Sequence, residues 1–131
     1  GASITGSGGA IKINGTGNAT SGYGVNLFNT GTAITNTGSG SITITAIGGA
    51  LGSSNFGFYM SGNSIVSAAG GAISIIGQGG VGSFSYGIAI NAGTISNTGA
   101  GTITLNGTGG ISGGFNNGTY IYGASVISTV L

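Results

Sequence analysis

One pattern recurs four times along this chain at a nearly fixed period. The cores Ile11-Lys12-Ile13, Ile42-Thr43-Ile44, Ile73-Ser74-Ile75 and Ile103-Thr104-Leu105 begin 31, 31 and 30 residues apart. A glycine follows each core at the same offset, at Gly17, Gly48, Gly79 and Gly109. A second landmark, Ile34, Ile65, Ile95 and Val126, keeps spacings of 31, 30 and 31. A looser third runs Gly24-Val25, Gly57-Phe58, Gly87-Ile88 and Gly118-Thr119. A fixed period of this size marks a solenoid, in which each repeat buries its apolar face only against its neighbours. The repeats run over about 3–34, 35–66, 67–95 and 96–127, as one segment spanning 1–131.

Within a repeat the apolar residues alternate with period two, which is strand spacing. Ile, Val and Thr favour strands, and the frequent glycines weaken any helix by about 1 kcal/mol each relative to alanine. Three short strands are predicted per repeat. The first falls at 10–14, 41–45, 72–76 and 102–106, and the second at 23–28, 56–60, 86–90 and 118–122. The third falls at 32–36, 63–67, 93–97 and 124–128. Gly, Ser, Asn and Thr fill the intervals, as turns require. Three strands and three corners in ~31 residues make one coil of a triangular parallel β-helix, an all-β fold of about four coils.

Stacked coils turn equivalent residues into ladders. Ile11, Ile42, Ile73 and Ile103 form one inward ladder, and Ile13, Ile44, Ile75 and Leu105 the next. Ile34, Ile65, Ile95 and Val126 form a third. Val25, Phe58 and Ile88 form a fourth, and Leu27, Met60, Ile90 and Ile121 a fifth. Lys12, Thr43, Ser74 and Thr104 alternate out to solvent. The fourth repeat leaves two registers open: Thr119 continues the Val25 ladder, or a one-residue slip turns Tyr120 and Tyr122 inward. An extra residue in Ser7-Gly8-Gly9-Ala10, against Ser39-Gly40-Ser41, is expected as a bulge at the first corner.

The charge content removes most chemical functions. Lys12 is the only charged side chain among 131 residues, and the chain has no Asp, Glu, His, Cys, Pro or Trp. Ordinary domains are roughly a quarter charged. General acid–base catalysis draws chiefly on His, Asp, Glu, Lys, Tyr or Cys, and carbohydrate hydrolysis on paired carboxylates. Metal sites draw on Cys, His, Asp and Glu, and nucleic-acid binding on Lys and Arg clusters. The chain is accordingly expected to be no enzyme, with no catalytic residue, no metal, no cofactor and no nucleic-acid partner. Insertion into a membrane is not expected either: no apolar run reaches the ~18 residues of a spanning helix, and the strands are shorter than the ~9–11 residues of a membrane barrel.

The phrases Gly38-Ser39-Gly40-Ser41-Ile42-Thr43-Ile44 and Asn14-Gly15-Thr16-Gly17 resemble the β-strand repeats of filamentous-haemagglutinin-like and autotransporter-type bacterial surface proteins. The resemblance covers the whole chain and rests on composition and period, so it carries over no functional residue. It implies a right-handed β-helix exported to the bacterial cell surface, acting as an adhesin, spacer or matrix component. The chain begins without Met and both starts and stops inside its pattern, which is expected of a piece of a longer chain.

The expected function is therefore mechanical: an extracellular segment of fibre, stalk or matrix whose partner is itself or flanking coils of the same chain. The alternative is an adhesin that binds glycan or another surface through outward Asn, Thr and Tyr residues. Lesser signals have structural readings. Glycine strings such as Gly6-Ser7-Gly8-Gly9 read as corners, because no helix follows them. The sequons at Asn14, Asn18, Asn106 and Asn117 arise readily in a chain rich in Asn and Thr. The matching Asn36-Thr37-Gly38 and Asn97-Thr98-Gly99 read as asparagine stacking at corners. The aligned Tyr23, Phe56 and Tyr86 read as an aromatic stack. An ice-binding threonine array is not expected, because the outward ladder is irregular.

Overall fold

A computed structural model describes residues 1–20 and 22–128, and every regular element among them is a β-strand. The first side of each coil is β2 (Ile11–Thr16), β5 (Ile42–Ile47), β7 (Ile73–Gln78) and β9 (Ile103–Thr108), one parallel sheet in the order β2-β5-β7-β9. The other two sides share a second parallel sheet, β1 (Ser3–Gly6), β4 (Ala33–Asn36), β6 (Phe58–Ala68), β8 (Ile88–Asn97) and β10 (Thr119–Ser128), in that order. The short β3 (Val25–Leu27) pairs with the first half of β6. Second and third strands are thus separate in the first coil and run on as one bent strand in the later three. The bends fall at residues of positive φ: Gly62 and Asn63 (65° and 60°), Ala92 and Gly93 (64° and 146°), and Gly123 (61°).

The register carries the first-side ladders as the period predicts. Ile11 pairs with Ile42, Ile42 with Ile73 and Ile73 with Ile103; Ile13, Ile44, Ile75 and Leu105 follow two residues on. The second-side ladders also hold, and the fourth coil takes the unslipped register. Thr119 stands above Ile88, Ile121 above Ile90, and Tyr120 and Tyr122 lie on the outer face above Ala89 and Asn91. Ile42, Ile44, Ile73, Ile75, Phe58, Met60, Ile88 and Ile90 are fully buried. Each contributes roughly 1.5–3 kcal/mol by leaving water.

The third ladder differs at one rung. Ile34 pairs with Val66, not Ile65, and Val66 with Ile95, which pairs with Val126. Val66 is fully buried, whereas Ile65 is 41% exposed, beside Ala33 and Thr94 on the outer face. The cause is a bulge: the ladder between β6 and β8 passes from Ser61↔Asn91 to Ser64↔Gly93, so the second coil spends one residue more at its bend. Strand parity has period two, and one inserted residue exchanges the faces of everything after it.

The corner between third and first sides also differs from expectation. The first coil has no extra residue there. Residues 7–10 and 69–72 make short corners, and 37–41 and 98–102 corners longer by one. The long ones begin with asparagine. The buried Asn36 donates from Nδ2 to the Gly9 carbonyl of the corner beneath (2.7 Å) and accepts the Gly38 N–H at Oδ1. Asn97 does the same with Gly71 and Gly99. Gly6 and Ala68 occupy this column in the intervening coils. The asparagines therefore alternate with small residues and do not stack on one another. A two-coil period underlies the one-coil period.

Candidate functional site: the open ends of the stack

The loops 49–56, 80–86 and 110–117 leave the first side and return beside it, each closed by a polar side chain at its neck. Asn55 is fully buried; its Nδ2 donates to the Leu51 and Val81 carbonyls (2.7 and 2.8 Å), and its Oδ1 accepts the Gly22 N–H (2.8 Å). Ser85 and Asn116, one and two coils on, likewise bond the carbonyl four residues before them. The loops return so closely that a Cβ on Gly48 or Gly79 would run into the Asn55 or Ser85 carbonyl. That close approach explains the recurring glycine six residues after each core begins. Sequence reading missed the neck residues, because their shared role lies in geometry and not in residue type.

Three surface features bear on ligand chemistry. Tyr23, Phe56 and Tyr86 stack with centroids 5.2 and 5.3 Å apart and planes within 11°. Tyr59 leans on Tyr23 and Phe56, and Tyr120 on Tyr86. The rings cover one another's faces along the stack, and a sugar needs an open ring face. The outer face of the first sheet mixes Lys12, Thr43, Ser74 and Thr104 with Asn14, Thr45, Ile76 and Asn106, which is no regular threonine array. An open groove of about 170 Å³ is lined by Ile47, Gln78, Val81, Ile111 and glycine backbone; Gln78 is its one polar side chain of any length. Lys12 is exposed on the outer face, as its strand parity predicts, and the sequon asparagines Asn14, Asn18, Asn106 and Asn117 are exposed too.

The two ends of the stack have the strongest unmet chemistry. Among the described residues, β1, β2 and β3 at the lower end pair only upward, and β9 and β10 at the upper end pair only downward. The core lies open there. Ile4 is 48% exposed and Val126 40%, against 1% or less for Ile34, Val66 and Ile95 in the same ladder. Ile11, Ile13 and Val25 below, and Ile103 and Leu105 above, are only partly covered. Unpaired edges are usually guarded by charge, Pro or a covering element. Here Lys12 on β2 is the only charged side chain, and residues 129–131 lie outside the described residues.

The ends are also complementary. Along the first side the lower coil donates to the upper: Ile11 N–H to Ser41, Ile42 to Ala72 and Ile73 to Thr102, with Gly17 to Ile47, Gly48 to Gln78 and Gly79 to Thr108. The second side repeats this, from Gly24 to Phe56, Gly57 to Tyr86 and Gly87 to Asn117. By the same rule Ile103, Gly109 and Gly118 present their N–H groups upward, above the last described coil. Ala10, Thr16 and Tyr23 at the lower end present the matching carbonyls. The edge strands agree as well: Ile103-Thr104-Leu105-Asn106-Gly107-Thr108 differs from Ile11-Lys12-Ile13-Asn14-Gly15-Thr16 at two positions.

No protein-family model, curated protein or solved structure matches this chain. The functional reading therefore rests on the molecule's own geometry.

Proposed function

We propose that this chain is a non-enzymatic structural segment of an extracellular fibre, stalk or matrix on a bacterial surface, and that it builds length by stacking coil upon coil through its open strand edges. The observation that carries this reading is the complementarity of the two ends. Each backbone donor or acceptor that repeats from coil to coil at one end has its counterpart in the same column at the other, donating upward at Ile11, Ile42 and Ile73 and downward at Ala33, Ile65 and Thr98, and apolar ladders run out to both surfaces in the same columns. Either further coils of the same chain or a second copy supplies what each end lacks. Contact between upper and lower ends is heterologous, and a heterologous contact that does not close extends into a filament. Lys12 adds polarity. Lower end against lower end brings two lysines together, whereas upper end against lower end sets Lys12 beside the neutral Thr104.

The adhesin alternative has less behind it, because the aromatic columns stack on themselves. The purified chain tests the proposal by sedimentation and negative-stain electron microscopy over a concentration series. Unbranched, concentration-dependent filaments are expected. A protein that stays monomeric at millimolar concentration, or forms compact particles of fixed size, would refute it.

A further inference from the structure

The coils that begin at Ile42 and Ile73 have a described coil both above and below them. Whatever they expose is therefore lateral and does not depend on what continues the stack. Five of their large apolar side chains are exposed: Ile47, Leu51, Ile65, Ile76 and Phe84. All but Ile65 lie on the first side and its loops. Ile47 and Ile76 stand on the outer face of the first sheet, among Thr43, Thr45 and Ser74. Phe84 is 47% exposed on a backbone at φ 56°, and Phe115 stacks on it from φ 59°. A bulky residue in the left-handed region is an outlier that costs free energy, whereas glycine sits there freely. These loops keep an exposed aromatic ring in spite of that cost.

We propose that this lateral face receives a second copy of the chain, so that two stacks lie side by side with their first sheets face to face. The inference stands apart from end-to-end stacking. Charge selects the occupant. Lys12 is the only charged side chain, so an acidic or basic partner docked over Ile47, Ile76 and Phe84 would bury its charge unpaired. A second copy brings no such charge. The groove beside these residues, about 170 Å³, is smaller than the ~300 Å³ at which small-molecule pockets begin, and it suits a side chain. Area agrees. At ~170 Å² for a whole large side chain, Ile47, Leu51, Ile76 and Phe84 leave roughly 300 Å² bare. Ile111 and Phe115 continue the face in the next coil and bring it to roughly 500 Å² per copy. Two copies then cover about 1,000 Å², the scale at which specific interfaces begin.

The face is also self-complementary. Within a column the two middle coils set a large residue above a small one: Ile76 above Thr45, Phe84 above Ser54 and Val81 above Ala50. A two-fold axis parallel to the strands, midway between these coils, exchanges their levels and keeps their columns. Each large side chain of one copy then meets the small member of its column in the other, and Ile47 meets Gln78. Large against small lets two surfaces interdigitate, and an isologous contact of this kind closes as a pair. The same axis sets Lys12 of each copy against Thr104 of the other. The two ammonium groups are then three strand spacings apart along the stack, ~14 Å, beyond the ~8 Å screening length of physiological salt.

Charge substitutions in the full chain test the pairing. Sedimentation reads particle mass, and scanning transmission electron microscopy reads mass per unit length wherever filaments form. The parent shows twice the chain mass at low micromolar concentration, or twice the mass per length of a single stack. Ile76→Glu weakens pairing at least tenfold. Phe84→Glu, on a loop, does the same and keeps the test open if Ile76→Glu fails to fold by circular dichroism. Ile65→Glu, at an equally exposed position on the third side, pairs as the parent does. An equimolar mixture of the Ile76→Glu and Thr45→Lys proteins regains pairing, because the axis sets those two positions against each other. A parent that stays unpaired overturns the inference, as do Ile76→Glu and Phe84→Glu proteins that pair as tightly as the parent. Loss of pairing in Ile65→Glu, or a mixture that stays unpaired, overturns the face-to-face arrangement. Paired particles of fixed size without filaments refute end-to-end stacking and leave this inference intact.

Discussion

Replacing Asn55 by alanine probes the device that holds the loops to the stack. Asn55 is fully buried and makes three hydrogen bonds through its side chain, to Leu51, Val81 and Gly22. Two of the three cross to another coil, Val81 above and Gly22 below. Alanine leaves the Leu51 carbonyl and the Gly22 N–H without partners, while the Val81 carbonyl keeps the Ser85 hydroxyl. A buried backbone group so orphaned costs roughly 1–3 kcal/mol. Leu51 is exposed, and Gly22 and Val81 are half-buried, so water recovers part of the loss. About 1 kcal/mol for each of the two orphaned groups then gives a destabilisation of about 2 kcal/mol. Asn116→Ala is the internal control. Asn116 makes the same kind of neck bond, to Ser112, and accepts the Ser85 N–H, but it stands in the last coil beside an exposed loop. It should cost about 1 kcal/mol. Asn55→Ser should recover part of the difference, because Ser85 reaches its own neck carbonyl with a hydroxyl. Urea unfolding followed by far-ultraviolet circular dichroism measures all three. The reasoning fails if Asn55→Ala lies within 1 kcal/mol of the parent, or if Asn116→Ala costs as much.

Two further outcomes follow from the core and the composition. Val66→Ala removes two buried methyl groups and should cost about 2 kcal/mol, whereas Ile65→Ala on the outer face should stay within about 0.5 kcal/mol; the reverse order in denaturant midpoints would restore Ile65 to the core. Stability should be flat between pH ~4.5 and ~6.5, because the chain has no Asp, Glu or His to bind protons differently when folded and unfolded. A sigmoidal change in melting temperature across that window would contradict this.

The legible parts of this fold are those where period two and the coil period act together. The Ile-x-Ile cores fix their own parity, since only alternate residues are apolar, and the period then fixes which residues stack. The third ladder lacked that protection. Ile65 and Val66 are both apolar, so either satisfies the pattern, and mean spacing favours the wrong one. Only the bulge at Gly62 and Asn63 selects Val66, and nothing in the local composition gives its exact length. The corner asparagines were visible as matched phrases, Asn36-Thr37-Gly38 and Asn97-Thr98-Gly99. Their alternation with Gly6 and Ala68 was written in the same positions, but a one-coil alignment hides a two-coil rule. The neck residues Asn55, Ser85 and Asn116 were the least legible, because the loops differ in length and hydroxyl substitutes for amide. The open ends were readable from what the edges lack. Their complementarity of donors and acceptors needed the backbone.

Diffraction from aligned filaments of the purified chain, with the subunit rise measured by cryo-electron microscopy, tests the central claim most directly. Continuous stacking predicts the ~4.8 Å strand spacing along the filament axis. It also predicts a rise of ~19 Å per subunit, four coils at that spacing. A 4.8 Å spacing lying across the filament axis would contradict coil-on-coil stacking outright.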